Sequence, residues 1–200
     1  AIMGTSTVYL VLDDAERAVP GSGCVVKDGV IPGFYGYSAG QSCTGDHFAW
    51  AATHIVPPAY CDEAVKRRIT VHELLTEKAV RQLPGEHGLL ALDWFNGNRS
   101  ILLDMDLTGC LIGLTLRTQP EDIYRALIEA TAFGARVIVE NFRTHGVAVN
   151  SFYASGGIAE KNAMAMQIYA DVLQMPIYVC DCANGPALGS GILGAVAGGA

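Results

Sequence analysis

Two hundred residues are enough for one large domain or two small ones, with ample core. Half of them are hydrophobic and only 16% are charged, which excludes a disordered chain. The formal net charge of −7 argues against a nucleic-acid or anionic-membrane surface. No uninterrupted apolar run reaches membrane-spanning length, and the first residues lack a basic-then-apolar leader pattern. The six cysteines are scattered without CxxC spacing, so they read as reduced thiols of a cytoplasmic protein, with neither zinc nor disulfides implied. The chain starts on an apolar, strand-like run and stops inside an Ala/Gly-rich helical pattern, which reads as a piece of something longer.

In chain order, Ile2-Met3 and residues 8–12 predict a β-hairpin-like start around Gly4-Thr5-Ser6-Thr7. Such a small, hydroxyl-rich tip can offer N–H groups and hydroxyls to a phosphate, or be an ordinary polar turn. Residues 24–31 read as two short strands around a turn at Asp28-Gly29, and the glycine- and aromatic-rich residues 32–37 as a loop. A helix is predicted from Ala39-Gly40-Gln41-Ser42 through Trp50, and a second over residues 62–83, ended by Pro84-Gly85. His72-Glu73 lacks a second histidine at zinc-protease spacing and reads as a solvated face. Residues 89–92 form a buried strand, residues 93–100 a loop, and residues 101–104 a further strand. Asp93, Asp104 and Asp106 are read as turn-formers in preference to carboxylates that bind magnesium through water. Trp94 and Phe95 are read as core or interface anchors in preference to a sugar-stacking platform, and Arg99 as a loop staple or a phosphate or sugar contact. Pro120-Glu121-Asp122 opens a long helix that reaches Thr144.

The stretch 151–176 combines a short strand (Phe152, Tyr153, Ala154), a Gly156-Gly157 turn and a helix from Asn162 to Leu173. Two glycines at a strand tip let a flat ligand approach the backbone, and the helix start beyond offers free N–H groups. A bare Gly-Gly before a helix is more often a plain connection, and no third glycine completes a dinucleotide fingerprint. A strand over residues 177–180 and a last helix from Pro186 follow. Gly189, Gly191 and Gly194 on that helix would admit another backbone at close range. Hairpins followed by alternating strands and helices predict an α/β domain with a mixed sheet flanked by helices.

Five of these pieces, in order, resemble the C-terminal half of the FGGY carbohydrate kinases. They are Met3-Gly4-Thr5-Ser6-Thr7; Gly40-Gln41-Ser42 with Gly45-Asp46 and Phe48-Ala49-Trp50; Leu92-Asp93-Trp94-Phe95-Asn96-Gly97-Asn98-Arg99-Ser100; Gly109, Leu111, Gly113 and Leu114 with Asp122-Ile123 and Ala126-Leu127-Ile128-Glu129; and Ser155-Gly156-Gly157-Ile158-Ala159-Glu160-Lys161-Asn162. The third is characteristic of the branch that phosphorylates L-ribulose.

The resemblance implies an RNase H-like (actin-like ATPase) domain, one of the two domains of a sugar kinase. Residues 1–200 would be its C-terminal, nucleotide-binding domain, with the N-terminal sugar-binding domain absent. Carried over by motif, Gly4, Thr5 and Ser6 fall on the phosphate loop. Gly40, Gln41, Ser42 and Gly45 fall beside the phosphates and ribose, and Gly156, Gly157 and Asn162 at the adenine pocket. The implied cofactors are ATP and Mg2+. The implied partners are a ketopentose, the absent N-terminal domain and further copies in a homo-oligomer. The catalytic aspartate of the family would lie upstream of Ala1, so no catalytic residue is assigned within the chain. Ser38 takes the place of an acidic substrate contact in Gly36-Tyr37-Ser38-Ala39-Gly40-Gln41, a departure that bears on sugar preference. Pro186 is a second departure, where a small residue or cysteine is expected. The alternatives are another sugar kinase of the family, such as one acting on xylulose, and a nucleotide-binding module without chemistry.

Overall fold

The computed structural model describes residues 1–182 and 184–199. Strands β1 (Ile2–Met3), β2 (Thr7–Asp13), β3 (Val25–Lys27) and β4 (Tyr35–Gln41) form an antiparallel sheet in the order β1-β2-β4-β3. Strands β7 (Phe152–Ala154) and β8 (Ile177–Val179) pair in parallel. A parallel bridge between Ile2 and Ser155 joins the two groups, with the Met3 N–H donating to the Ser155 carbonyl at 2.8 Å. The result is one mixed sheet, β8-β7-β1-β2-β4-β3, with the two-residue β1 at its centre.

One face of this sheet is covered by α4 (Pro120–Thr144) and α6 (Ala163–Leu173), which pack on each other. The apolar stripe of α4 (Ile123, Leu127, Ala130, Ile138 and Phe142) is buried as its 3.6-residue period demands. Phe142 meets the edge of Tyr37 at 6.0 Å, and Phe152 that of Tyr9 at 6.1 Å, locking helix and strands together. Helix α4 starts where the sequence places it: Pro120 sits in the first turn and Asp122 accepts the Gln119 N–H at 2.7 Å. A small sheet of β5 (Leu90–Leu92) and β6 (Cys110–Ile112) lies beside α4.

Several expectations are corrected. Residues 35–41 form a strand, and α1 (Gly45–Trp50) starts only at Gly45, running on as a π-helical turn, Ala51–Ile55. Tyr37, Ala39 and Gln41 share one face of the strand and are buried in the core, and on the other face Gly36 and Gly40 are buried too, with Ser38 between them partly exposed. The glycines suit close neighbours rather than a loop: a Cβ on Gly40 would lie 2.9 Å from the Thr7 carbonyl oxygen. Strand β3 pairs with β4 and not with residues 30–31. The wider loop between them is closed by the Asp28 carboxylate, which accepts the Gly33 N–H at 2.6 Å.

The helix predicted over 62–83 is two, α2 (Pro58–Arg67) and α3 (Val71–Ala79). Arg68 turns left-handed at φ 55°, and Thr70 with Glu73 forms a capping box that opens α3. Glu73 is therefore a cap, and both it and His72 are exposed as expected, the His72 ring approaching the Tyr124 hydroxyl at 3.4 Å. Residues 101–104 form no strand; Asp104 instead exchanges backbone bonds with Asn98.

Helix α5 (Gly157–Lys161) precedes α6, and α7 (Gly185–Ala197) closes the fold with Pro186 in its first turn, where proline is tolerated. Among the described residues no backbone packs on Gly189, Gly191 or Gly194, and no residue of α7 is buried. No helix of the described residues is long and apolar enough to cross a membrane.

Candidate functional site

The β1–β2 hairpin turns through Gly4-Thr5-Ser6, with Met3 opposite Thr7 and the Gly4 N–H donating to the Ser6 carbonyl at 3.0 Å. The first N–H groups of a helix need partners from outside the helix. Here the hairpin tip supplies them. Thr44 and Asp46 donate to the Thr5 carbonyl at 2.8 and 3.4 Å, and Gly45 donates to the Gly4 carbonyl at 3.0 Å. The approach is so close that a Cβ on Gly45 would stand 2.7 Å from the Gly4 oxygen. Below the tip, the buried Thr7 hydroxyl donates to the Thr44 hydroxyl at 2.9 Å.

The other flank of the tip is the Ser155-Gly156-Gly157 turn. Gly156 has φ 97°, and a Cβ there would lie 2.5 Å from the Met3 carbonyl oxygen. Gly157 differs: it is exposed and a Cβ would meet nothing within 4 Å. Three glycine turns from distant parts of the sequence, at residues 4–6, 45 and 156–157, thus converge on β1. The N–H and hydroxyl groups of Thr5 and Ser6 make no hydrogen bond within the described residues. They are free donors on a surface whose carbonyls are already engaged by α1, which suits an anion.

The remaining carried-over residues hold this frame. Gln41 is buried under the tip rather than facing outward. Its amide oxygen accepts from the Tyr9 hydroxyl, and its amide nitrogen donates to the Asp93 carboxylate and to the Thr131 carbonyl. The Gly40 N–H donates to the Ser100 hydroxyl at 3.1 Å, and the Ser42 hydroxyl faces the Met105 sulfur at 4.0 Å. Asn162 caps α6, accepting the Ala165 N–H at 2.9 Å, and reaches Thr76 at 3.4 Å with its amide nitrogen. Ser38 accepts the Cys24 N–H at 3.2 Å, which ties its hydroxyl to the neighbouring chain segment.

Asp93 is no turn-former: it is buried in the Gln41 network, and burial pushes its carboxyl above the ordinary range, with the Gln41 amide offsetting part of that. Asp104 does make a turn, accepting the Asp106 N–H at 2.9 Å. Phe95 is an anchor, edge-on to His47 at 4.7 Å and to Trp50 at 5.2 Å. Arg99 makes no hydrogen bond within the described residues; Asn98 and Ser100 staple the loop in its place. A cleft of about 310 Å³, lined in part by Asp93, Trp94, Arg99 and Val137, opens beside the network and not at the tip. Among the described residues no three His, Cys, Asp or Glu side chains cluster as metal ligands.

Sequence reasoning misses Thr44, Asp93 and Gly134. Only Gly134 carries a local signal, a glycine in the interior of a long helix.

His47, on the first turn of α1, is 1% exposed and neither ring nitrogen has a hydrogen-bond partner. Burial pulls its pKa down to about 4, and the nearby Asp93 carbonyl offsets little of this. Between pH 6.5 and 4 the unfolded chain binds a proton at His47 that the folded chain refuses. Stability therefore falls as pH drops through that window, by roughly 3 kcal/mol in total. Asp93, with its raised pKa, acts in the opposite sense. Chemical denaturation of wild type and His47→Phe from pH 7 to 4 should give a flatter profile for the variant. Equal slopes would place the acid sensitivity elsewhere.

The sequence profile described as "FGGY family of carbohydrate kinases, C-terminal domain" matches residues 1–198. A ribulokinase of Bacillus licheniformis is 57% identical over 99% of this chain and 36% of its own length. One of Halalkalibacterium halodurans is 53% identical over 98% of the chain and 35% of its own. The chain thus spans about a third of these relatives. Two solved xylulose kinases share the fold. That of Rhodospirillum rubrum has a TM-score of 0.75 at 27% identity, covering 89% of this chain and 33% of that one. The ligand-bound enzyme of Lactobacillus acidophilus has a TM-score of 0.78 at 21% identity, covering 99% and 38%. The strand order, the convergence of glycine turns on β1 and the match over nearly every residue lead to one conclusion: the chain belongs to the FGGY family of carbohydrate kinases.

Proposed function

We propose that this chain is the nucleotide-binding domain of an ATP-dependent kinase that phosphorylates the 5-hydroxyl of L-ribulose, in L-arabinose breakdown in the cytoplasm. The observation that carries the phosphoryl-transfer reading is the Gly4-Thr5-Ser6 tip, whose carbonyls are tied to α1 while the donors of Thr5 and Ser6 stay free. The two relatives named ribulokinase support the choice of sugar.

In this reading the terminal phosphates of ATP lie against Thr5 and Ser6. Their N–H and hydroxyl groups are pre-aimed at oxygens that gain charge as the phosphoryl leaves. The ribose side of the nucleotide runs past Gly45, and the adenine lies on Gly157, whose missing side chain leaves the approach open. Gln41 and Asn162 act from beneath, one holding the end of β4 and the other capping α6. Magnesium bound with the phosphates would neutralise charge, and no residue of this chain is assigned to it. The general base and most sugar contacts belong to an N-terminal segment that this chain does not include.

The test is a full-length kinase containing this domain, supplied with ATP, magnesium and a panel of ketopentoses and polyols. L-Ribulose should be the preferred acceptor. Much faster turnover of xylulose or glycerol would make it a different sugar kinase, and ATP binding without phosphorylation of any acceptor would make it a non-catalytic module. The serine at position 38 bears directly on that outcome.

A further inference from the structure

Asp93 is 9% exposed, and a buried carboxylate needs strong compensation. Its partner is the Gln41 amide nitrogen, 52 residues earlier in the chain. The same nitrogen donates to the Thr131 carbonyl at 2.9 Å, and the amide oxygen accepts from Tyr9. One side chain is thereby held by β2, by the loop after β5, and by α4.

Helix α4 is cut away to admit this pair. A Cβ on Gly134 would lie 2.5 Å from the Gln41 amide nitrogen and 2.6 Å from an Asp93 carboxylate oxygen. Glycine inside a helix costs about 0.5–1 kcal/mol against alanine, a penalty the packing of Gln41 on Asp93 explains.

Gln41 is the last residue of β4, opposite Thr7, which directly follows the hairpin tip. Three residues later Thr44, Gly45 and Asp46 hold the Thr5 and Gly4 carbonyls. Thr44 makes no side-chain cap on α1; its hydroxyl is tied to Thr7 instead. The start of α1 and the tip are therefore fixed against each other and against the end of β4.

We propose that Asp93 is a positioning residue for the phosphate-binding tip, acting through Gln41 on the Thr44-Gly45-Asp46 turn without touching the nucleotide. This rests on the nucleotide reading of the tip given above. Asp93 anchors the fixed end of a chain of contacts whose free end is the Thr5 and Ser6 donors. Loosening that anchor misaligns the donors while leaving the sugar side of the enzyme as it was.

The experiment uses the full-length kinase with three variants. Asp93→Ala removes the acceptor of the Gln41 amide. Asp93→Asn keeps an oxygen that can accept it. Gly134→Ala pushes a methyl group into the pair. Asp93→Ala and Gly134→Ala should each raise KM and Kd for ATP by about tenfold, with KM for the sugar changed less than about twofold. Asp93→Asn should restore ATP affinity to within about threefold of wild type. If Asp93→Ala fails to fold, Gly134→Ala and Asp93→Asn decide the matter by the same split. Equal weakening toward both substrates, or ATP binding unchanged in folded Asp93→Ala and Gly134→Ala, overturns the positioning role. Failure of the wild type to bind ATP overturns instead the reading of the tip on which it rests.

Discussion

Gly156→Ala should destabilise the domain by about 3 kcal/mol or more, whereas Gly157→Val should leave stability nearly unchanged and abolish nucleotide binding. The two glycines are neighbours with opposite surroundings. Gly156 sits at φ 97° and ψ 169°, a region essentially closed to residues with a side chain, and a methyl group would press on the Met3 carbonyl oxygen at 2.5 Å. That carbonyl belongs to the central strand, so relief requires moving the sheet. Gly157 has an ordinary backbone and open space around it, and valine is no worse than glycine in a helix. Its isopropyl group would instead fill the surface against which adenine is proposed to lie. Denaturant unfolding measures the first effect and calorimetric titration with ATP the second. ATP binding that is measurable in the wild type and unchanged in Gly157→Val would move the nucleotide elsewhere.

Arg125→Ala should cost roughly 3–5 kcal/mol, enough to leave a domain of ordinary stability largely unfolded. The guanidinium is 7% exposed and bonds Glu129 at 2.8 Å, while a second nitrogen donates to the Ala79 and Gln82 carbonyls at 2.9 Å. Glu129 in turn meets the fully buried His87 ring at 3.1 Å. Removing the arginine leaves two carbonyls and a carboxylate short of donors and frees the segment after α3 from α4. Arg67→Ala is the control. Its ion pair with Glu77 is 2.6 Å long but solvent-exposed, and its loss should cost about 1 kcal/mol or less. Comparable losses in the two variants, read by denaturant midpoints, would mean that burial does not govern the Arg125 cluster.

Helix α4 was legible to the residue because its signals are local: Pro120 in the first turn, Asp122 reaching back to Gln119, and an apolar stripe over 25 residues. The strand and glycine turn before α5 were legible for the same reason. Strand β4 was not. Its glycines argue for a loop on propensity, and only the neighbours Thr7, Val30 and Ser100 make those glycines useful in a sheet. The break between α2 and α3 was written in Thr70 and Glu73 but hidden by an apolar period that runs across it.

The sequence by itself determined that the chain turns at Gly4 and at Gly156-Gly157, and the order of motifs that place it among the carbohydrate kinases. Those are properties of a few consecutive residues, set by backbone sterics and side-chain period. Only the tertiary structure decided that Gln41 lies under the tip instead of on it, that Asp93 is its partner, and that Gly134 makes room for both. Gln41, Asp93 and the Thr131 carbonyl are 52 and 90 residues apart in pairs, and a hydrogen bond has no sequence period from which such a pairing can be read. It depends on the whole sheet and α4 closing around one buried amide.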